Sequence, residues 1–193
     1  MAARSTPSAP LLEVDHLSVE FRMPDGIIRA VNDVSFDIGR GEVVAIVGES
    51  GSGKSVTALA ILRLISEPGR ITAGAVRLDG QDLLQLDDEA MRRIRGHRIG
   101  MVFQEPMTSL NPVLSIGRQL TEAMQTHLGL SRSASHARAI ELLQLVGIAE
   151  PQRRLRQYPH HLSGGMRQRV MIAMALSCKP ELIIADEPTP RWM

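Results

Sequence analysis

Eight residues, Gly48, Glu49, Ser50, Gly51, Ser52, Gly53, Lys54 and Ser55, constrain this chain more than any other feature. They fit the pattern G-x-x-x-x-G-K-[ST], and their flanks set the local fold. Glu42 is followed by Val43, Val44, Ala45, Ile46 and Val47, a short apolar run of the kind that a parallel strand covered on both faces requires. After the loop, residues 56–64 carry helical apolar spacing and meet a stop at Pro68 and Gly69. Strand, glycine loop and helix in that order begin an α/β unit. Glycines let the main chain curl until successive N–H groups point inward, and the following helix adds its positive end, so the loop is a cradle for phosphate oxygens. On this reading the ligand is a nucleoside triphosphate: Lys54 bridges the β- and γ-phosphates, Ser55 holds Mg²⁺, and Val56 joins the loop among the nucleotide-contacting residues. An ordinary Gly/Ser surface turn is the competing reading, and the flanking strand and helix count against it.

With 193 residues, 44% of them hydrophobic, the chain has room for one α/β domain carrying a helical insertion and is short for two full domains. A formal net charge of +1 calls for no nucleic-acid partner. Arg92, Arg93, Arg95 and Arg98, and again Arg153, Arg154 and Arg156, read as solvated helix faces. The single Cys178 has no disulfide partner within the chain, fits a reducing compartment and reads as core packing. No uncharged apolar run approaches the ~20 residues that span a bilayer. The first ten residues lack the apolar centre of a secretory signal and read as a mobile lead-in.

Alternation predicts strands over 11–21 and 27–38 with a turn at 23–26, an antiparallel region flanking the loop. A short strand over 75–78 ends at the turn pair Asp79 and Gly80, and Asp87 is placed to cap a helix over 88–95. Strand character returns over 98–103. Helical spacing over 115–129 and 131–147, with Ser at each start and Gly at each end, and a shorter helix over 151–157, predict a helical insertion at about 108–165. Leu182, Ile183, Ile184 and Ala185 then form a buried strand behind the helix breaker Pro180.

That strand ends in Asp186 and Glu187. Such a pair lets the first carboxylate steady Mg²⁺ while the second reaches the attacking water, or it simply begins a loop; beside a phosphate loop the first reading gains weight. Leu162, Ser163, Gly164, Gly165 and Met166 are the second glycine-bearing signal. Ser163 is a helix N-cap, and the two glycines after it leave N–H groups uncovered at a helix's positive end.

Residues 48–55, the LSGGM run at 162–166 and the Asp186–Glu187 pair together resemble the ATP-binding subunit of an ABC transporter, over nearly all of residues 11–189. The resemblance implies an α/β P-loop NTPase core with a parallel sheet, an antiparallel β region and a helical insertion. It implies two subunits facing head to tail, as homodimer or heterodimer, with Ser163, Gly164 and Gly165 contacting ATP on the partner's loop. It implies that Gln104 reaches Mg²⁺ and the attacking water, that Glu187 acts on that water, and that Phe21 stacks on adenine; a strand phenylalanine in the core is the alternative for Phe21. Residues 102–112, VFQEPMTSLNP, and the segment 21–26 are similar to the bacterial dipeptide and oligopeptide uptake branch, which also serves nickel complexes. That branch implies integral-membrane permease subunits, an indirect solute-binding protein and a peripheral place on the cytoplasmic face of the inner membrane. Met101, Met107 and Met124 are candidates for the groove that receives a permease helix, or for the core.

The family continues past Thr189 with a Leu-Asp loop, a strand and a histidine that senses the γ-phosphate, whereas here residues 190–193 do not follow the pattern and all six histidines precede Asp186. The expectation is a truncated or frame-shifted reading of a longer subunit, with C-terminal strands missing, an uncovered sheet edge, poor solubility, and ATP binding with weak or no hydrolysis. Against the transport ATPase stand a catalytically defective nucleotide-binding fragment and a non-transport ABC-type ATPase, the latter needing coiled-coil heptads or a duplicated cassette that the chain does not show. The absence of Asn-Lys-x-Asp and of H-R-D counts against GTPases and protein kinases.

Overall fold

Leu12 and Val14, then Leu17 and Val19, are buried on one strand, so the inward positions switch from even to odd along it. The structure, a computed structural model, describes residues 9–105 and 109–187, and shows why. Strand β1 (Leu12–Met23) is bulged at His16, whose φ of 49° inserts one extra residue between Val14 and Leu17 and returns the apolar side chains to the buried face. Polar groups hold the bulge: His16 N–H donates to Ser35 Oγ at 2.8 Å and Asp33 N–H to Ser18 Oγ at 3.0 Å. β1 pairs antiparallel with β2 (Gly26–Ile38) through the turn at Pro24 and Asp25, and with β3 (Gly69–Leu78) on its other side. Asp79 and Gly80, both at positive φ, turn β3 into the short β4 (Gln81–Asp82), and the sheet order is β2-β1-β3-β4. Helix α1 (Lys54–Ile61) buries Thr57, Ala60 and Ile61, and α2 (Asp88–Ile94) starts where the Asp87 carboxylate accepts from Ala90 N–H at 2.7 Å.

The chain divides into two compact units, one up to Met91 and one from Arg92. In the second, β5 (Ile99–Val102) and β6 (Leu182–Ala185) pair in parallel, Ile99 opposite Leu182 and Val102 opposite Ala185. Arg98, which precedes one strand, makes a two-pronged ion pair with Glu181, which precedes the other, at 2.5 and 3.2 Å. Helices follow from capping and spacing: α3 (Ile116–Leu128), α4 (Arg132–Leu145), α5 (Pro151–Leu155) and α6 (Gly164–Ala175). Ser115, Ser131 and Ser163 each accept from the N–H three residues on, as expected of N-caps. Ile116, Leu120 and Met124 of α3, Ala139, Leu142 and Leu143 of α4, and Val170 and Ala173 of α6 are fully buried, each set at helical spacing. Among the described residues no helix is long and apolar enough to cross a membrane.

Several sequence expectations need correction. The run 42–47 belongs to no helix or strand and is exposed throughout, Val43 at 96% and Val47 at 88%. A strand covered on both faces needs a neighbour to pair with, and neither sheet among the described residues includes this run. β6 is buried only at Leu182, while Ile183 is 46% exposed. α1 stops three residues short of Leu64, because Leu62 caps it and Arg63 turns to a φ of 51°. β3 begins at Gly69, well before the expected 75, because pairing with β1 extends it. Met124 is core. The 1–10 lead-in up to residue 8, Met107, and the tail 190–193 lie outside the described residues.

Candidate functional site

The candidate residues fall in both units, and each half is built on its own elements. In the first unit, residues 48–52 are exposed and the loop closes into α1 at Gly53. Gly53 has φ 91°, and a side chain there would put its Cβ 2.2 Å from the Ala30 carbonyl oxygen on β2. Glycine is the one residue that tolerates both the angle and the approach. Gly53 is also the N-cap of α1 and supplies no side-chain cap. The first turn of α1 therefore presents its positive end without the carboxylate or hydroxyl that usually satisfies it. Lys54 folds back over the loop, its Nζ donating to the Gly48 and Glu49 carbonyls at 2.8 Å each and lying 3.4 Å from Ser52 Oγ. The ammonium thus sits inside the curve that Gly48, Glu49, Ser50, Gly51 and Ser52 describe. Ser55 and Val56 follow in α1, both half-buried. Phe21 is half-buried in β1, paired with Ile28 and Gly69, and its ring packs over Gly69, where a methyl would lie 2.6 Å from Cε1.

In the second unit, Gln104 follows β5 and the carboxylates follow β6. Asp186 N–H extends the ladder by donating to the Val102 carbonyl at 2.9 Å, and Glu187 turns out of it at φ 45°. Gln104 Nε2 donates to Glu187 Oε2 at 2.7 Å, so the structure brings these two candidates into contact. Ser163, Gly164 and Gly165 are exposed at the start of α6, and beyond the helix's own backbone and the chain neighbours no atom lies within 4 Å of where a Cβ of either glycine would be. The turn before them is held twice. Tyr158 N–H donates to His161 Nδ1 at 3.2 Å, and Arg167 Nε reaches back to the Pro159 carbonyl at 2.8 Å. Neither holding residue announced itself in the sequence. Cys178 is buried, and burial pushes its thiol up, away from a reactive thiolate.

Sequence reasoning also missed a cleft of about 930 Å³ along α3, whose lining includes Arg118, Thr121, Arg132, His136, Arg156 and Tyr158. Its arginines come from three separate stretches of chain, so no local cluster marks them; Arg156 alone had been grouped, as part of a solvated helix face.

The donors proposed for a metal, the Ser55 hydroxyl, the Gln104 side-chain carbonyl and the Asp186 carboxylate, are all hard oxygens, which fits Mg²⁺. Among the described residues no cluster of three or more His, Cys, Asp or Glu forms a self-sufficient metal cage.

The first unit thus carries a glycine-opened lysine loop, and the second carries parallel strands ending in a carboxylate pair and an exposed glycine helix start. Residues 31–190 match the model of the ABC transporter family, and the chain belongs to that family. It is 52% identical over 191 residues to a probable peptide ABC transporter ATP-binding protein of Sinorhizobium fredii, covering 98% of this chain and 57% of that protein. An oligopeptide transport ATP-binding protein of Bacillus subtilis is 52% identical over 180 residues, with 93% and 50% covered. The dipeptide transport ATP-binding protein of Escherichia coli is 53% identical over 179 residues, with 93% and 55% covered. The chain therefore spans about half the length of the curated relatives it matches. Among solved structures it resembles the ATP-binding cassette MJ0796, determined as a dimer in a post-hydrolysis state bound to ADP and phosphate, with a TM-score of 0.83 and 34% identity over 92% of this chain and 74% of that one.

Proposed function

We propose that this chain binds Mg-ATP through residues 48–56 and serves as an ATP-hydrolysing subunit that powers peptide import through an ABC transporter. The carrying observation is the loop: an uncapped helix start, Gly53 locked against the Ala30 carbonyl, and Lys54 lying within the curve. In this reading the main-chain N–H groups of Gly51, Gly53 and Lys54 take phosphate oxygens, and the Lys54 ammonium exchanges its two carbonyl contacts for the β- and γ-phosphates. Ser55, Asp186 and Gln104 would hold Mg²⁺, which when bound would neutralise phosphate charge. Glu187 accepts the proton of the attacking water. Phe21 lies against the adenine.

Ser163, Gly164 and Gly165 present the start of α6 to the ATP of a second ATP-binding subunit, head to tail, as the dimeric state of the related cassette supports. The cleft along α3, with Arg118, Arg132 and Arg156, is offered as the face that meets the integral-membrane permease. A solute-binding protein acts only indirectly. That assembly puts the chain on the cytoplasmic face of the inner membrane, in keeping with relatives named for peptide, oligopeptide and dipeptide transport. Residues 11–189 form the ATP-binding domain, with the helical insertion at about 108–165. A second reading, ATP binding with weak or no turnover by this chain alone, draws support from the exposed 42–47 run, which gives the loop no strand to rest on among the described residues.

Isothermal titration of Mg-ATP into the chain tests the first reading. Binding heat that is lost in Lys54→Ala is expected; no heat from folded, monodisperse protein overturns it. The steady-state ATPase rate separates the two readings.

A further inference from the structure

The contact between Gln104 and Glu187 is dictated by the backbone. β5 and β6 run parallel with Val102 opposite Ala185, and the bond from Asp186 N–H to the Val102 carbonyl carries the ladder one step further. Counting two residues beyond the last pair sets Gln104 opposite Glu187 as the two strands leave the sheet. Neighbouring strands are about 4.8 Å apart, and in-register side chains leave on the same side, so these two meet without help from any other element. The ion pair between Arg98 and Glu181 pins the opposite end of the same two strands and keeps the register from slipping.

The chemistry of the bond fixes which way the amide lies. An ionised carboxylate only accepts, so the Gln104 NH₂ end faces Glu187 Oε2, at 2.7 Å, and the carbonyl end is left over. One glutamine then has two separable ends. Glu187 needs such a partner: it is exposed and stands at φ 45° past the end of its strand, where an unheld carboxylate turns among rotamers.

We propose that Gln104 is the positioning residue of Glu187: its NH₂ holds one carboxylate oxygen so that the other is presented in a single direction, while its carbonyl remains for the metal and water. The proposal rests on the reading of Glu187 as the water-directed carboxylate. A well-placed proton acceptor contributes about 10²–10⁴-fold to a rate, and an acceptor that wanders forfeits part of that factor. Gln104 thereby acts through Glu187 as well as through the metal.

The test reads order in the Glu187 side chain and needs no turnover. In nuclear magnetic resonance spectra of the full chain with selectively labelled glutamate and glutamine, Glu187 is expected to occupy one rotamer in the wild type and to average among several in Gln104→Leu, which keeps size and removes the donor. Seen from the other side, the Gln104 side-chain NH₂ resonance should move upfield in Glu187→Ala and stay in place in Glu105→Ala. Unchanged β5 and β6 backbone amides confirm that each variant is folded. A Glu187 that averages equally in wild type and Gln104→Leu, or a Gln104 NH₂ indifferent to Glu187→Ala, overturns the proposal. Titration of Mg-ATP into the same samples keeps the two ideas apart: ordered Glu187 without binding heat sinks the proposed function alone, and binding heat with disordered Glu187 sinks the positioning alone.

Discussion

The phosphate loop and the carboxylate pair reach their shapes by different physics. The loop is held by its own residues and one neighbouring carbonyl: Lys54 grips Gly48 and Glu49, and Gly53 is wedged against Ala30. It keeps its curve although Val43 and Val47, the start and end of the apolar run before it, are almost wholly exposed. The carboxylates are held by register, in a unit whose buried residues come from α3, α4 and α6 as well as from the strands. A self-contained loop tolerates poor support; a pair set by strand register does not. Damage to the second unit's core should therefore cost more stability than damage near the loop, and damage to the loop should cost more binding.

The largest effect is expected from Leu142→Ala. Leu142 is fully buried among the helices of the second unit, and truncation to alanine at such a site costs about 2–5 kcal/mol. Urea unfolding followed by amide exchange gives the value, with Val31 and Val76 reporting on the first unit and Leu120 and Val170 on the second. A loss confined to the second unit's probes sustains the contrast. A loss of similar size at Val31 and Val76 breaks it.

Gly53→Ala comes next. The new Cβ would meet the Ala30 carbonyl at 2.2 Å with φ at 91°, and strain of this kind costs about 1–3 kcal/mol. Binding should suffer more than folding, because a shifted Gly53 turns the first N–H groups of α1 away from the phosphates. Loss of the Mg-ATP heat with the protein still folded is the expected calorimetric result, and undiminished heat would show that the wedge does not shape the cradle.

Those two sites also show what a sequence can and cannot disclose. The loop was legible because its constraint is local: glycine where φ is positive, lysine and serine at fixed offsets. The helices of the second unit were legible for the same reason, since Ser115, Ser131 and Ser163 and the apolar spacing after them are local signals. Strand membership is not local. The run 42–47 has the composition of a buried strand, but pairing depends on a neighbour that composition does not name. β3 was half missed because its first residues are drawn into the ladder by β1. The bond between Gln104 and Glu187 joins positions 83 apart in sequence and follows from a register that only the folded sheet reveals. The arginines along α3 escaped notice on the same ground.

The two units should respond to pH in opposite senses. In the first, the hydrogen bond from His16 Nδ1 to Asp33 at 2.6 Å, with the charges of Asp33 and Asp15, raises the imidazole above its ordinary 6.5. A raised folded-state value means that the stabilisation is present in full below 6.5 and is lost as pH rises through the folded value. In the second, burial pushes His127 below 6.5, helped by the stacked ring of His97 with its centroid 5.9 Å away. The neutral ring belongs to the folded state there, so stability is present above 6.5 and falls as the unfolded chain takes up the proton on acidification. Amide-exchange stabilities between pH 5 and 8 should show opposite slopes, flattened by His16→Gln in the first unit and by His127→Gln in the second. Slopes of one sign in both units would mean that other groups dominate and that these two histidines do not distinguish the halves.

Val43→Ser is expected to do least, and it bears directly on how the loop is supported. In a strand covered on both faces this change would bury a hydroxyl and remove apolar contact, a loss of about 1–3 kcal/mol. Val43 is 96% exposed, so a surface value within about 0.5 kcal/mol is expected in urea unfolding. The same change shortens an exposed apolar run at 43–47, so less aggregation should accompany the unchanged stability. A cost above about 1 kcal/mol would place Val43 in a packed strand and would return the loop to the same kind of support that the carboxylates receive from β5 and β6. Equal stability together with unchanged Mg-ATP heat would establish that the cradle keeps its form through Lys54 and Gly53 alone.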